Sequence, residues 1–161
     1  MYLDALSFLE DERDAWRPFE VLLDLDDEAL ARPVEAARGW SGRDLMGHVV
    51  AWQDVALAAA RELAVGEQSA TIARVAADWD ARRGEAVNED LRREWAALPM
   101  DEVRRRFSTV AGQLRGYLTV VPETRWVKHP GHLRSFLEDT IEHYDEHRPD
   151  LEAILAAVRP A

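Results

Sequence analysis

Apolar residues near the start of the chain recur at intervals of three and four, which is the spacing of one face of an α-helix. This pattern predicts a first long helix over about residues 3–23. Pro18 lies inside that range and removes one backbone donor. Because the apolar phase continues beyond it through Phe19 and Leu23, we expect a kink at Pro18 rather than a break.

The second long helix has the clearest predicted start. Ser41 can cap the free backbone amides, and Asp44 stands at the third helical position, where its carboxylate can complete a capping box. The helix is expected to run to about Leu63, with Gln53 outside its buried face. That face is predicted to contain Leu45, His48, Val49, Trp52, Val55, Ala56, Ala59 and Leu63.

The middle of the chain carries weaker helical patterns. Apolar residues within the ranges 72–79 and 87–98 predict two short helices, which can serve as a crossover before Pro99. A third long helix is then predicted over about residues 103–121, where Pro122 ends it.

The fourth long helix is predicted to begin near residue 132 and to continue to about residue 158. Pro149 lies inside it, and because the apolar positions stay in phase we expect a kink there. His129 and His132 fall in or beside the preceding loop and are expected at the surface.

These patterns together predict an all-α fold, a four-helix bundle with short extra helices in the crossover from the second to the third long helix. The sequence shows no useful run of strand-like alternation, no internal repeat and no long flexible linker. We therefore expect a single domain over residues 1–161.

Composition narrows the function classes. The formal net charge of −11 repels phosphate backbones and anionic lipid, so we expect neither nucleic acid nor membrane as a partner. Charges interrupt every apolar run before the ~18 residues of a membrane span. The first twenty residues lack the basic head and apolar core of a secretory signal, which leads us to expect a cytoplasmic protein.

Three histidines stand at positions that suggest a metal site. The chain contains no cysteine, so any metal must bind through histidine or a carboxylate. His143 and His147 are four residues apart and fall on the apolar side of the fourth helix, where two rings one turn apart can chelate one ion. His48, on the buried face of the second helix, can supply a third ligand and leave coordination positions open.

The spacing alone leaves other interpretations open. Each of these histidines could be a core residue whose hydrogen bonds are satisfied, and a small rotation of one helix could place its histidine in solvent. Spacing also does not select the metal, because imidazole suits zinc, nickel, iron and copper.

Short segments resemble a known superfamily. The second helix is similar to a signature of the DinB/YfiT-like superfamily in residues 40–52, which read W-S-G-R-D-L-M-G-H-V-V-A-W. The fourth helix is similar to its paired-histidine motif in residues 142–148, which read E-H-Y-D-E-H-R. Residues 87–103, which read V-N-E-D-L-R-R-E-W-A-A-L-P-M-D-E-V, resemble the ClbS/DfsB-like branch. The likeness touches most of the chain from the second helix onward.

The resemblance carries expectations about site and activity. It implies that His48, His143 and His147 bind one divalent metal ion, with zinc or nickel favoured, in a bundle that is often a homodimer. It also implies an enzyme such as a thiol-dependent transferase or isomerase, or a hydrolase that protects cells by opening reactive natural products. We therefore expect a small electrophilic molecule as substrate.

Three further residues are candidates for the surroundings of the site. Glu12 lies within the apolar stripe of the first helix, where a buried carboxylate must be paired, linked to the metal or protonated. It is a candidate partner of a metal ligand or a general base, unless a kink returns it to solvent. Trp52 and Tyr144 are candidates to line a pocket, although such aromatic residues are more often core.

Two alternatives to the metalloenzyme remain open at this point. The first is a metal-free bundle that sequesters a small hydrophobic compound in its tryptophan-rich interior. The second is a bundle without a site, which contacts a partner through an exposed helix face.

Overall fold

The computed structural model describes residues 2–82 and 84–158, and it is built from α-helices joined by short 3₁₀ segments. Over these residues no strand occurs, and the one β-bridge joins Val34 to Trp40. The all-α prediction is confirmed. The helices are α1 (Ala5–Trp16), α2 (Asp27–Ala31), α3 (Gly42–Val65), α4 (Ala70–Arg82), α5 (Gly84–Ala96), α6 (Met100–Val120), α7 (Pro130–Asp139) and α8 (Ile141–Val158).

The first long segment changes its helix type near Pro18. The α-helical hydrogen bonding of α1 ends at Trp16, and a 3₁₀ helix continues over Arg17–Asp24. Pro18 has no amide hydrogen to donate to a carbonyl oxygen of the preceding turn, and the chain continues beyond it without a break, as expected, but as a tighter 3₁₀ helix rather than as a kinked α-helix. Phe19 and Leu22 are buried in this extension.

The start of α3 follows the prediction. The Ser41 hydroxyl accepts the backbone N–H of Asp44, and the Asp44 carboxylate accepts the backbone N–H of Ser41, which completes the capping box. α3 packs along α6 and also contacts α4, α5 and α8. It is therefore the central helix of the bundle.

Gln53 corrects the prediction for the buried face of α3. It was expected outside that face, but it is fully buried. Its amide nitrogen donates to the Tyr144 hydroxyl at 2.9 Å, so a partner on α8 satisfies the group that hydropathy alone would place in water.

The fourth long segment is two helices rather than one. Thr140 separates α7 from α8 with the non-helical angles φ −129° and ψ −98°. Pro149 lies inside α8, which continues through it. The prediction for His132 is also wrong: its ring is buried and its Nδ1 contacts the Arg125 carbonyl oxygen at 2.5 Å, whereas His129 is exposed as expected.

The two short crossover helices form a pair beside α3. α4 and α5 contact each other and both contact α3, as the pattern of the middle region predicted. Within the part of the chain that the structure describes, no helix is both long and apolar enough to cross a lipid bilayer.

A charged group lies at the centre of the bundle. Glu12 has no solvent exposure, and its carboxylate accepts from Arg115 Nη1 at 2.7 Å and from the Tyr144 hydroxyl at 2.9 Å. Together with Gln53, these residues form what we call the buried network. Burial raises the pKa of Glu12, and the adjacent Arg115 guanidinium opposes that rise. The kink that would have returned Glu12 to solvent does not occur.

Breaking the buried network is expected to be costly. Arg115→Met leaves the Glu12 carboxylate without its cation, and removal of one partner of a buried pair costs about 3 kcal/mol or more. Urea unfolding of the variant measures the loss. Arg105→Met on the same helix is the control, because Arg105 pairs with Glu102 at the surface and its loss should cost less than about 1 kcal/mol. Equal losses in the two variants would contradict the stabilising role of the network.

Candidate metal centre

His48, His143 and His147 come together at the meeting point of α3 and α8, and we call them the histidine cluster. His143 and His147 lie one turn apart on α8, and His48 faces them from α3. The three ring centroids are separated by 4.8, 4.6 and 4.7 Å, which is close to an equilateral triangle. The rings therefore surround a common point.

The ring nitrogens are close enough for one ion. His143 Nε2 lies 2.9 Å from His48 Nε2, and one nitrogen from each ring falls within 4.8 Å of the others. Two imidazoles on one ion with bonds of about 2.1 Å have nitrogens roughly 3.0–3.4 Å apart, and never more than about 4.2 Å. Ring movements of less than about 1 Å thus suffice for all three to bind, and the residues present fit a divalent ion.

Burial holds His48 and His143 in the neutral form. Each ring of the cluster is between 3 and 8 % exposed. Burial is the largest cause that lowers the pKa of His48 to about 3, and the neighbouring His147 is the second cause. Burial, followed by the effect of the nearby His48 and His147, lowers the pKa of His143 to about 2. Neutral imidazole is the form that binds metal. His143 Nδ1 is buried and has no hydrogen-bond partner among the described residues.

Asp150 orients the His147 ring. Its carboxylate lies 2.9 Å from His147 Nδ1 and also accepts a bidentate pair from Arg38. Burial favours the neutral acid, but the hydrogen bonds from Arg38 and His147 outweigh it and lower the pKa of Asp150. A carboxylate can only accept, so it selects the tautomer with hydrogen on Nδ1 and leaves the Nε2 lone pair for a ligand bond.

A short loop brings Arg38 and Trp40 to the site. The bridge between Val34 and Trp40 closes this loop, and Arg38 adopts the left-handed φ of 60° beside Gly39 at 81°. Such a conformation costs about 1 kcal/mol for a residue with a side chain. The Arg38 pair with Asp150 helps to hold it, and the Trp40 ring stacks on His147 at 5.4 Å and 19°.

The histidine cluster opens into a large cavity of about 1090 Å³. α3 and α8 form the side that carries the cluster, α4 and α5 form the opposite wall, and α7 and the loop of Arg38 complete it. Trp52, a candidate pocket residue from the sequence, lies among the residues that line this cavity. Its indole N–H donates to Asn88 Oδ1 at 3.1 Å, which fixes the ring against α5.

The other two predicted surrounding residues lie behind the cluster. Tyr144 is fully buried and belongs to the core rather than to the cavity wall. Glu12 bonds to Tyr144 and Arg115, and it makes no hydrogen bond to the histidine cluster within the described residues. Tyr144 follows His143 directly in the chain, so the buried network supports the cluster from the core side.

Two polar residues of the site, Asp150 and Arg38, were not predicted from the sequence. The spacing of Asp150, three residues after His147 on a helix, could have indicated an acceptor for that ring. Arg38 had no comparable signal, because its position depends on the left-handed turn and on a partner 112 residues away.

The neutral state of His48 and His143 predicts acid sensitivity in the metal-free protein. The pKa values of about 3 for His48 and 2 for His143 lie below the ~6.5 of an unfolded imidazole, so protons bind preferentially to the unfolded chain as pH falls from about 6.5 towards 3. Between pH 7 and 5.5 the free energy of unfolding should fall by about 1 kcal/mol for each of the two rings. Urea unfolding with a chelator present measures it.

A pair of variants isolates this effect. His48→Gln/His143→Gln should remove most of the decrease between pH 7 and 5.5, whereas His129→Gln at an exposed position should retain it. If the wild-type protein is equally stable at both pH values, the two rings are not held neutral by burial.

Comparisons with known proteins place the chain in a family. A family model described as "Mycothiol maleylpyruvate isomerase N-terminal domain" matches residues 9–141, a range that includes His48 and ends just before His143. Comparisons with curated proteins and with solved structures found no match. The family is DinB-like and metal-binding, so the match confirms the superfamily resemblance without supporting the ClbS/DfsB-like branch. The chain belongs to the mycothiol maleylpyruvate isomerase N-terminal domain family.

Proposed function

We propose that this protein is a metal-dependent enzyme that acts on a small electrophilic molecule, with one divalent ion held by His48, His143 and His147. The observation that carries the proposal is the convergence of three buried imidazoles at the wall of a large cavity. Three protein ligands with an open side are typical of catalytic rather than structural metal sites.

We propose zinc or nickel as the bound ion, in line with the resemblance to the superfamily. Imidazole nitrogen suits both ions, and the site offers no thiolate, which softer ions prefer. When bound, such an ion acts as a Lewis acid that lowers the pKa of a coordinated water or thiol.

The chain's own residues have distinct tasks in this proposal. The histidine cluster binds the ion, and Asp150 holds the His147 ring with its Nε2 lone pair towards the cluster. Arg38 fixes Asp150 in turn. Trp40 packs against both His48 and His147, which shields that side of the cluster from water.

The cavity volume favours a reaction between two molecules. A site of about 1090 Å³ is slightly larger than the roughly 300–1,000 Å³ of typical small-molecule pockets. A thiol and an electrophile can therefore both fit. We propose thiol-dependent transfer or isomerisation as the main activity, in keeping with the family description, and hydrolysis with water in place of the thiol as the second candidate.

Metal content tests the first half of the proposal. Protein purified without chelator, or loaded afterwards, should hold about one zinc or nickel ion per chain by elemental mass spectrometry. His48→Ala, His143→Ala and His147→Ala should each lose most of it, and His129→Ala should not. Metal far below one per chain that cannot be loaded would contradict the proposal. Tight small-molecule binding that survives a chelator and replacement of all three ligands would select the metal-free binding protein instead.

Activity with a matched electrophile tests the second half. Metal-loaded protein is mixed with styrene oxide and a low-molecular-weight thiol, and the products are separated by mass. Thioether formation that is faster than in the absence of protein indicates transfer. Diol formation that is faster than in the absence of protein indicates hydrolysis. Either rate should fall to background in His147→Ala, because that variant lacks a ligand. Equal rates in wild type and His147→Ala would contradict a metal-dependent reaction.

Loss of the Asp150 carboxylate should weaken metal binding. Asp150→Asn removes the charge that holds the His147 tautomer, and loss of such a partner typically lowers metal affinity about 10- to 100-fold. Competition with a chromophoric chelator measures the dissociation constant. Asp145→Asn is the matched control on α8, because Asp145 is exposed and pairs only with Arg148 among the described residues. Equal affinities in the two variants would show that Asp150 does not orient the ligand.

A further inference from the structure

The apolar face of α4 is turned towards the cavity rather than into the core. Its larger apolar residues recur at intervals of three and four, as on one face of a helix. They are Ile72, Val75, Ala76 and Trp79, and all four line the cavity. None of these four side chains is buried. An apolar helix face that the fold itself leaves uncovered beside a cavity is suited to contact a ligand.

Trp79 is the largest side chain of this face, and its ring is seated against α5. A Cβ atom added to Gly84, the first residue of α5, would lie 2.1 Å from Cζ2 and 2.4 Å from Cη2 of the Trp79 ring. The ring therefore lies directly on the backbone, where a residue without a side chain leaves room for it. Trp79 is nevertheless 45 % exposed, which is unusual for such a large apolar residue. The ring is thus held on one side and open to the cavity on another.

Trp52 connects this ring to the histidine cluster. The ring centroids of Trp52 and Trp79 are 5.7 Å apart with an interplanar angle of 70°, and those of Trp52 and His143 are 6.2 Å apart at 78°. Both contacts are edge-to-face, an arrangement that aromatic pairs prefer. A ligand that reaches from the histidine cluster to Trp79 therefore passes along a wall of aromatic rings.

We propose that Trp79, seated on Gly84, is the specificity-determining residue of the cavity, and that the substrate carries a flat unsaturated body, either aromatic or conjugated. This body packs against Trp79 and the apolar face of α4, while the reacting atom lies at the histidine cluster. The polar end of such a molecule, whatever its charge, lies towards the cluster. The proposal rests on the proposed function, because it assumes that the cavity is the substrate site.

The aromatic wall favours a flat body over a saturated one. Stacked or edge-to-face ring pairs gain about 2- to 10-fold in affinity beyond the burial of their apolar area. A saturated ring of the same size buries similar apolar area but lacks this attraction. Hydrophobicity alone would favour the saturated ring, so the order of the two affinities separates stacking from simple burial.

A matched pair of uncharged probes tests this preference. 2-Phenylethanol and 2-cyclohexylethanol have the same carbon skeleton, and the cyclohexyl compound is the more hydrophobic. Both are titrated into chelator-treated, ¹⁵N-labelled protein and followed by NMR, so that neither can bind through a metal. The phenyl compound should bind at least ~3-fold more tightly. Equal or tighter binding of the cyclohexyl compound would overturn the proposal, as would no detectable binding of the phenyl compound at millimolar concentration.

The indole signals assign the binding to Trp79. Each of the six tryptophans gives one indole N–H signal, and Trp79→Phe identifies the signal of Trp79 by its disappearance. That signal should move when 2-phenylethanol is added. The signal of Trp126, assigned in the same way, is the control, because Trp126 is fully buried in the core and should not respond. A Trp79 signal that stays in place while the probe binds would overturn the assignment.

Variants at Trp79 and Gly84 test the seat of the ring. Trp79→Leu removes the ring, and the Cβ of Gly84→Ala forces it away from α5, at little cost to the fold because the ring is partly exposed. Both variants should bind 2-phenylethanol at least ~3-fold more weakly and lose the preference over 2-cyclohexylethanol, whereas Trp79→Phe should retain it. Gly112→Ala on α6 is the control, because an added Cβ there has no neighbour within 4 Å among the described residues. A preference that survives in Trp79→Leu or Gly84→Ala, with the fold intact by NMR, would overturn the proposal.

Metal content measured on the same preparations keeps the two proposals distinguishable. Preference for the flat probe at Trp79 in protein that cannot hold metal contradicts the proposed function alone. One metal per chain without binding at Trp79 contradicts the specificity proposal alone.

Discussion

The placement of three imidazoles inside a helical core is the constraint on which the site depends. Burial disfavours the charged form of an imidazole, because that form would lose its hydration, and the lowered pKa values of His48 and His143 express this cost. Neutral rings crowded around one point offer lone pairs that need a partner. The unpartnered Nδ1 of His143 shows how few hydrogen bonds the surroundings supply. A divalent ion satisfies the cluster in a way that the apolar core does not.

Two polar assemblies hold the cluster from opposite sides. On the loop side, Arg38 and Asp150 fix one ring through its outer nitrogen. On the core side, Tyr144 and Gln53 belong to the buried network, and each is the direct chain neighbour of a residue that lines the cavity. Because hydrogen bonds of this kind are directional and costly to break, they restrict the rotation of α3 against α8. The rigid cluster then faces a cavity whose opposite wall is formed by the crossover helices.

Helix periodicity was sufficient to predict much of this arrangement. The helix cap at Ser41 and the spacing of the histidines are local features of the sequence. The start of the second helix and the buried faces that carry the histidines could therefore be predicted. The residues that were predicted wrongly or not at all depend on tertiary contacts. Gln53 was expected outside the buried face because hydropathy takes no account of a buried hydrogen-bond partner. That partner is Tyr144, which lies 91 residues further along the chain. Arg38 depends on a left-handed turn with no residue signature of its own, and the cavity appears only when α4, α5 and α8 face one another.

The central claim is that the histidine cluster is a metal site with an open side towards the cavity. Anomalous diffraction at the zinc absorption edge, from crystals of zinc-loaded protein, tests it most directly. We predict a single strong peak about 2.1 Å from one nitrogen of each of the three rings, with its remaining coordination positions directed into the cavity. A crystal that shows no peak there, or rings hydrogen-bonded only to one another at full zinc loading, would contradict the account.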